Sequence, residues 1–163
     1  MRRAEALSFC SGVVWALSGG AAVAATDCVA GTAELRDPET QLRFEVEVAD
    51  TPEGRARGLM FRESMPRFSG MLFVYDEAGP VAFWMENTLL PLDMLFFDAA
   101  GRLQRIHENA VPLDRTSIYG GEEIQYVLEI NGGQARALGI DIGAELRHPA
   151  LDQEAAAWPC ATP

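Results

Sequence analysis

The fold is decided by the stretch Gly70 to Asp98, GMLFVYDEAGPVAFWMENTLLPLDMLFFD. Three apolar runs fill it, Met71–Tyr75, Pro80–Met85 and Leu92–Phe97, separated by Asp76-Glu77-Ala78-Gly79 and by the polar group Glu86-Asn87-Thr88 that follows Trp84. Runs of five or six apolar residues bounded by Gly, Pro and acidic breaks have strand length rather than helix length. Leu92–Phe97 is apolar at odd and even positions alike, which predicts a strand covered on both faces. The Asp76–Gly79 break predicts a hairpin-like reversal between the first two runs, and Asp98-Ala99-Ala100-Gly101 predicts a second.

Outward from this centre the pattern remains one of strands. Leu42 to Val48 alternates apolar and charged residues, as a half-buried strand does. Thr51-Pro52 is a helix start, with Thr51 capping and Pro52 at a position whose N–H would be orphaned anyway. Gly54 and Gly58 keep that helix short. Leu103–Glu108 reads as a more polar strand and Tyr126–Asn131 as a strong one. Gly132–Leu138 reads as a short helix closed by Gly139, and Ile140–Leu146 as a turn and a last short strand. Residues 110–125, with Pro112 and Gly120-Gly121, predict a long loop placed to act as a lid. The expected fold is α+β: a single, mainly antiparallel β domain, its sheet curled or partly closed into a barrel, with one or two short helices.

The ends of the chain point to export. Arg2 and Arg3, the apolar stretch Ala6–Leu17 and the small residues ending in Ala22-Val23-Ala24 have the three parts of a secretory signal, so residues 1–25 are read as a signal peptide. Residues 26–40 are read as an irregular extension, 41–148 as the globular domain and 149–163 as a tail. Cys10 leaves with the signal, and Cys28 and Cys160 remain to pair in an oxidising compartment, periplasmic or secreted. Removing Arg2, Arg3 and Glu5 takes the net charge from -11 to -12. Such a surface repels phosphate backbones and anionic lipid heads, so neither nucleic acid nor a membrane surface is an expected partner.

Several phrases in order, Gly58-Leu59-Met60-Phe61-Arg62, Gly70-Met71-Leu72-Phe73, Phe83-Trp84-Met85-Glu86-Asn87-Thr88, Pro91-Leu92-Asp93 and Val127-Leu128-Glu129 with Asn131 and the glycines after it, resemble the bacterial and archaeal "domain of unknown function 192" family. The resemblance spans about Leu42 to Leu146. It implies a compact β-rich α+β domain, often exported, with no agreed activity. The family usually has Lys where this chain has Glu86.

Two acids stand out because each sits inside an apolar strand. Asp93 and Glu129 must each find partners, shift their pKa or be used. They could accept backbone N–H groups from turns or pair with Arg62 or Arg105. They could instead form a carboxylate pair beside Trp84 and Asn87, as a sugar-binding or glycoside-cleaving site would need. Thr88 and Asn131 complete the candidate ligand-binding set of Trp84, Asn87, Thr88, Asp93, Glu129 and Asn131; for Asn87-Thr88, turn chemistry is an equal reading. No catalytic residue is assigned, since no nucleophile motif is present. Two histidines, His107 and His148, without ligand spacing predict no metal site and no cofactor. Met60, Met65, Met71, Met85 and Met94 fall within thirty-five positions; soft thioethers suit Cu(I), but core packing is the plainer reading. The expected function is therefore a non-catalytic ligand-binding or accessory protein of the cell envelope, binding a small molecule or an envelope protein. The alternatives are an envelope hydrolase acting through Asp93 and Glu129 on a carbohydrate-like substrate, and a periplasmic copper-binding protein.

Overall fold

The computed structural model describes residues 28–160; the signal-peptide reading of residues 1–25 lies outside them. Seven strands and two short helices follow in the order β1 (Thr32–Arg36), β2 (Gln41–Ala49), α1 (Pro52–Arg57), β3 (Ser69–Phe83), β4 (Leu92–Phe97), β5 (Leu103–Ala110), β6 (Ile118–Asn131), α2 (Gln134–Leu138) and β7 (Glu145–Arg147). They form one sheet in the order β5-β4-β6-β3-β2-β1-β7. Only β2 and β3 pair in parallel, joined by the α1 crossover; the other neighbours are antiparallel. The outer strands return toward each other. Arg102, just before β5, bridges Glu145 of β7, with Leu103 N–H donating to Ala144 at 2.8 Å and Leu146 N–H to Gly101 at 2.8 Å. The result is a curled half-barrel of α+β class, as the sequence predicts.

The alternation along the central strands sorts the core into two layers. Leu72, Leu95, Phe97, Tyr126, Leu128 and Ile130 face inward with side chains of β1, β2, β5 and β7. Met71, Phe73, Met94, Phe96 and Val127 face outward, beneath Leu59 and Met85. Every residue of β4 is buried, which is why that strand is apolar at every position but Asp93.

Three expectations are corrected. Asp76–Gly79 does not reverse the chain: β3 runs through it, and the pairing with β6 jumps from Val74↔Tyr126 to Gly79↔Ile124, a bulge rather than a hairpin. Ile118–Gln125 is not part of a lid but the first half of β6, paired with the end of β3; only residues 111–117 remain a loop. Gly120 hides that strand in the sequence, because a Cβ there would lie 2.3 Å from the ring of Phe96. Finally, the segment 26–40 supplies β1, whose Ala33 and Leu35 are buried in the inner layer.

Cys28 and Cys160 form a disulfide across 132 positions. Beside it Arg147, itself buried, reaches Glu34 at 3.2 Å and Cys28 Sγ at 3.3 Å, and Trp158 lies under the guanidinium groups of Arg36 and Arg147, 4.5 and 5.1 Å from its ring centre. The tail is thus clamped by a cross-link, a buried ion pair and an indole. Cys160→Ser is expected to lower unfolding stability by about 2–4 kcal/mol, mostly through the unfolded chain, and to red-shift Trp158 emission; denaturant unfolding with and without reductant measures it. Equal midpoints for variant and wild type would show that the cross-link adds nothing.

Candidate functional site

Asp93 and Glu129, the two acids expected to share a site, do not face one another. In the β4–β6 ladder Asp93 stands opposite Ile130 and Met94 opposite Glu129. Residues directly opposite across an antiparallel pair project to the same side and neighbours alternate, so the two carboxyls leave opposite faces of the sheet. The paired-carboxylate arrangement that glycoside cleavage requires is not assembled.

Asp93 is fully buried and satisfied by backbone. Its Oδ1 accepts from Asn109 N–H and Gly133 N–H, both at 2.8 Å, and its Oδ2 from Ala135 N–H at 2.7 Å. Gly133, the N-cap of α2, has no side chain with which to cap the helix and adopts φ 77°. Asp93 therefore caps it from a strand forty positions away, which answers the orphaned N–H groups of a helix start. Gly132 has to be small, since a Cβ would lie 3.0 Å from Pro91 and from Asn109 Oδ1, and its N–H donates to Pro91 at 2.8 Å. The Pro91-Leu92-Asp93 phrase and the glycines after Asn131 are thus one structural knot. Asn131 also ties backbone, its Nδ2 donating to Pro66 at 3.0 Å. Asn87 takes φ 53°, as turn chemistry would have it. Its carbonyl accepts from Phe61 N–H at 2.8 Å, and its exposed amide reaches only Met60 Sδ at 4.0 Å.

Glu129 has the opposite surroundings. It is 4 % exposed, and its carboxyl has no hydrogen-bond or ion-pair partner among the described residues. Burial alone pushes its pKa up to about 8, because removal from water penalises the charged form. At neutral pH the group is a carboxylic acid, able to donate as well as accept. It forms the floor of a cavity of about 300 Å3, at the lower end of the range for small-molecule sites. The walls come from Leu59 and Met60 after α1, from Phe73, Tyr75 and Phe83 of β3, and from Thr88. The Phe73 and Phe83 rings meet edge to face at 5.0 Å. Trp84, 51 % exposed, stands at the rim with Arg55 and Arg57 of α1. Arg55 is fixed by donating to the Asp50 and Val74 carbonyls at 2.6 and 2.8 Å, with its guanidinium 4.9 Å from the Tyr75 ring centre. Burial pushes the Tyr75 hydroxyl up, with the charge of Arg55 pulling against it and Glu129 adding to it.

Of the six candidate ligand-binding residues, the cavity unites Trp84, Thr88 and Glu129; Asn87, Asp93 and Asn131 lie elsewhere. Arg55, Arg57 and Tyr75 join it without having been singled out in the sequence. Larger surface hollows exist, but in one of them Glu47 is paired with Arg62 at 2.5 Å, and in another Glu145 is paired with Arg36 at 2.8 Å while Asp37 accepts the Glu39 and Thr40 N–H groups at 2.8 Å. Glu86 is paired with Arg115. Met71, Met85 and Met94 are packed in the outer core layer and Met65 against it. Among the described residues no group of three or more His, Cys, Asp or Glu is placed to hold a metal ion.

The half-barrel has been solved before at appreciable sequence identity. A protein of unknown function from Novosphingobium aromaticivorans DSM 12444 is 36% identical, with a TM-score of 0.69 over 71% of this chain and 82% of that one. A "putative transcription regulator" from Sinorhizobium meliloti 1021 is 39% identical, with a TM-score of 0.73 over 77% of this chain and 98% of that one. No curated protein matches significantly. The sequence profile of DUF192, described as "Uncharacterized ACR", matches residues 34–148, which take in both the Asp93 knot and the Glu129 cavity, and the chain belongs to that family.

Proposed function

We propose that this protein is an exported, non-catalytic binding domain of the cell envelope that holds a small molecule in the cavity between Trp84 and Glu129. One observation carries the reading: a glutamate only 4 % exposed, its carboxyl unpartnered, lining an open hollow walled by aromatic rings. An unsatisfied buried acid costs several kcal/mol. The sheet has no structural use for it, unlike Asp93, and a ligand that hydrogen-bonds to it would recover that cost. The Cys28–Cys160 disulfide fits an oxidising compartment. The description of the Sinorhizobium relative suggests DNA as a partner, but a net charge of -11 opposes a phosphate backbone.

A thermal-shift screen of the purified protein against sugars, amino acids, small acids and amines tests the proposal. A ligand that binds only the folded form raises the melting temperature, by an amount corresponding to about 2.7 kcal/mol at a hundred times its Kd. Trp84→Ala should abolish the shift, since it removes one wall at an exposed position. A ligand whose effect survives Trp84→Ala would place its binding elsewhere, and the cavity reading would fall.

A further inference from the structure

The unpaired arginines at the rim say what kind of molecule the cavity admits. Seven of the eleven arginines among the described residues pair with a carboxylate. Arg55 and Arg57 are two of the four that do not, and both line this one cavity. On a chain with 24 acidic residues, two neighbouring cations left without an acid make a local positive field, and such a field draws anions. The exposure gradient orders the site: Arg57 and Trp84 are open to solvent, Arg55 is half-buried and Glu129 is enclosed. A ligand entering here meets positive charge first, then aromatic faces, then a single carboxyl group.

Resting on the reading above, we infer that the cavity takes a small ring-bearing carboxylic acid, with its carboxylate at Arg55 and Arg57, its ring among Phe83, Trp84 and Tyr75, and an oxygen at its far end accepting the Glu129 proton. Guanidinium groups match carboxylates in geometry as well as charge. Arg55 already lies over an aromatic face, so its carbon and nitrogen framework is held and only its outward edge is free to bind. An amine would meet two like charges at the entrance. A doubly charged anion would have to lose more hydration than two partly exposed cations return.

Isothermal titration with matched probes tests this: 4-hydroxybenzoate, 4-hydroxybenzamide and 4-hydroxybenzylamine, with inorganic phosphate as a ringless anion. The carboxylate is expected to bind at least about tenfold tighter than the amide or amine, and to weaken severalfold between low and physiological salt. Arg57→Glu, an exposed and structurally mild change, should remove the preference for the carboxylate, bringing its affinity down to that of the amide or below. Affinity should also fall as pH rises through about 8, where Glu129 loses its proton, and Glu129→Gln should erase that fall while keeping a donor in place. Binding led by the amine or by phosphate, and sensitive to Trp84→Ala, would overturn the acid assignment and leave the cavity standing. Failure of every probe to bind, with Trp84→Ala and Glu129→Gln altering no ligand response in the thermal screen, would overturn both.

Discussion

Asp93→Ala is expected to destabilise the protein by about 4–6 kcal/mol, a large fraction of the 5–15 kcal/mol that holds a domain of this size together. The carboxylate receives three backbone N–H groups, from Asn109, Gly133 and Ala135. Hydrogen bonds to a charged group contribute about 1.5–3 kcal/mol each, and donors left bare in a buried place cost about as much. Asp93 is 0 % exposed, so water cannot replace it without opening the knot between β4, β5 and α2. Asp93→Asn should lose less, because the amide retains an acceptor for two of the donors and misplaces only its own NH2. Urea unfolding gives the ordering, and amide exchange at Gly133 and Ala135 should quicken in both variants. A loss below about 1 kcal/mol for Asp93→Ala would show that α2 is capped by other means. Cavity ligands should still bind to whatever fraction of Asp93→Asn is folded, since that residue lies on the other face of the sheet.

The contrast between the two acids also marks how far the sequence could be read. A carboxylate inside an apolar strand had to be special, and that argument found both Asp93 and Glu129. It could not say which was structural, because facing depends on the pairing register of β4 with β6, and register is a non-local property. The same limit explains the bulge at Asp76–Gly79, whose turn-forming residues suit a hairpin equally well until β6 is seen alongside. It explains the missed half of β6, where Gly120 is required by Phe96 rather than by its own neighbours. Locally encoded features were legible: the Thr51-Pro52 start of α1, with Gly54 N–H donating to Thr51 Oγ1 at 3.1 Å, the Gly139 end of α2 at φ 69°, and β4 buried on both sides. β1 was passed over because five alternating residues beside a turn are too short a signal. Arg55 and Arg57 gave none at all. Their importance lies in what they fail to pair with, which only the folded arrangement defines.

Glu129→Gln is expected to make the protein more stable, and increasingly so as pH rises. The acid has a folded pKa of about 8 against 4.5 for the free group. Between those values the folded form keeps a proton that the unfolded chain gives up, so raising the pH favours unfolding. Each unit corresponds to about 1.4 kcal/mol. The penalty therefore begins near pH 4.5, grows to on the order of 5 kcal/mol by pH 8 and stays level above it. Gln has nothing to titrate, so the difference between variant and wild type isolates this one group. Buried His148, whose pKa is lowered, and the Arg62-paired Glu47 contribute equally to both proteins and cancel. Urea midpoints at pH 5, 7 and 9 should diverge steadily up to about 8; parallel midpoints would mean that Glu129 is neutralised by a partner or wetted. A residue whose replacement strengthens the fold is a poor candidate for a structural role. Sites that bind are often kept at the expense of stability, and here the same substitution that stabilises the fold is the one expected to abolish the pH response of ligand binding.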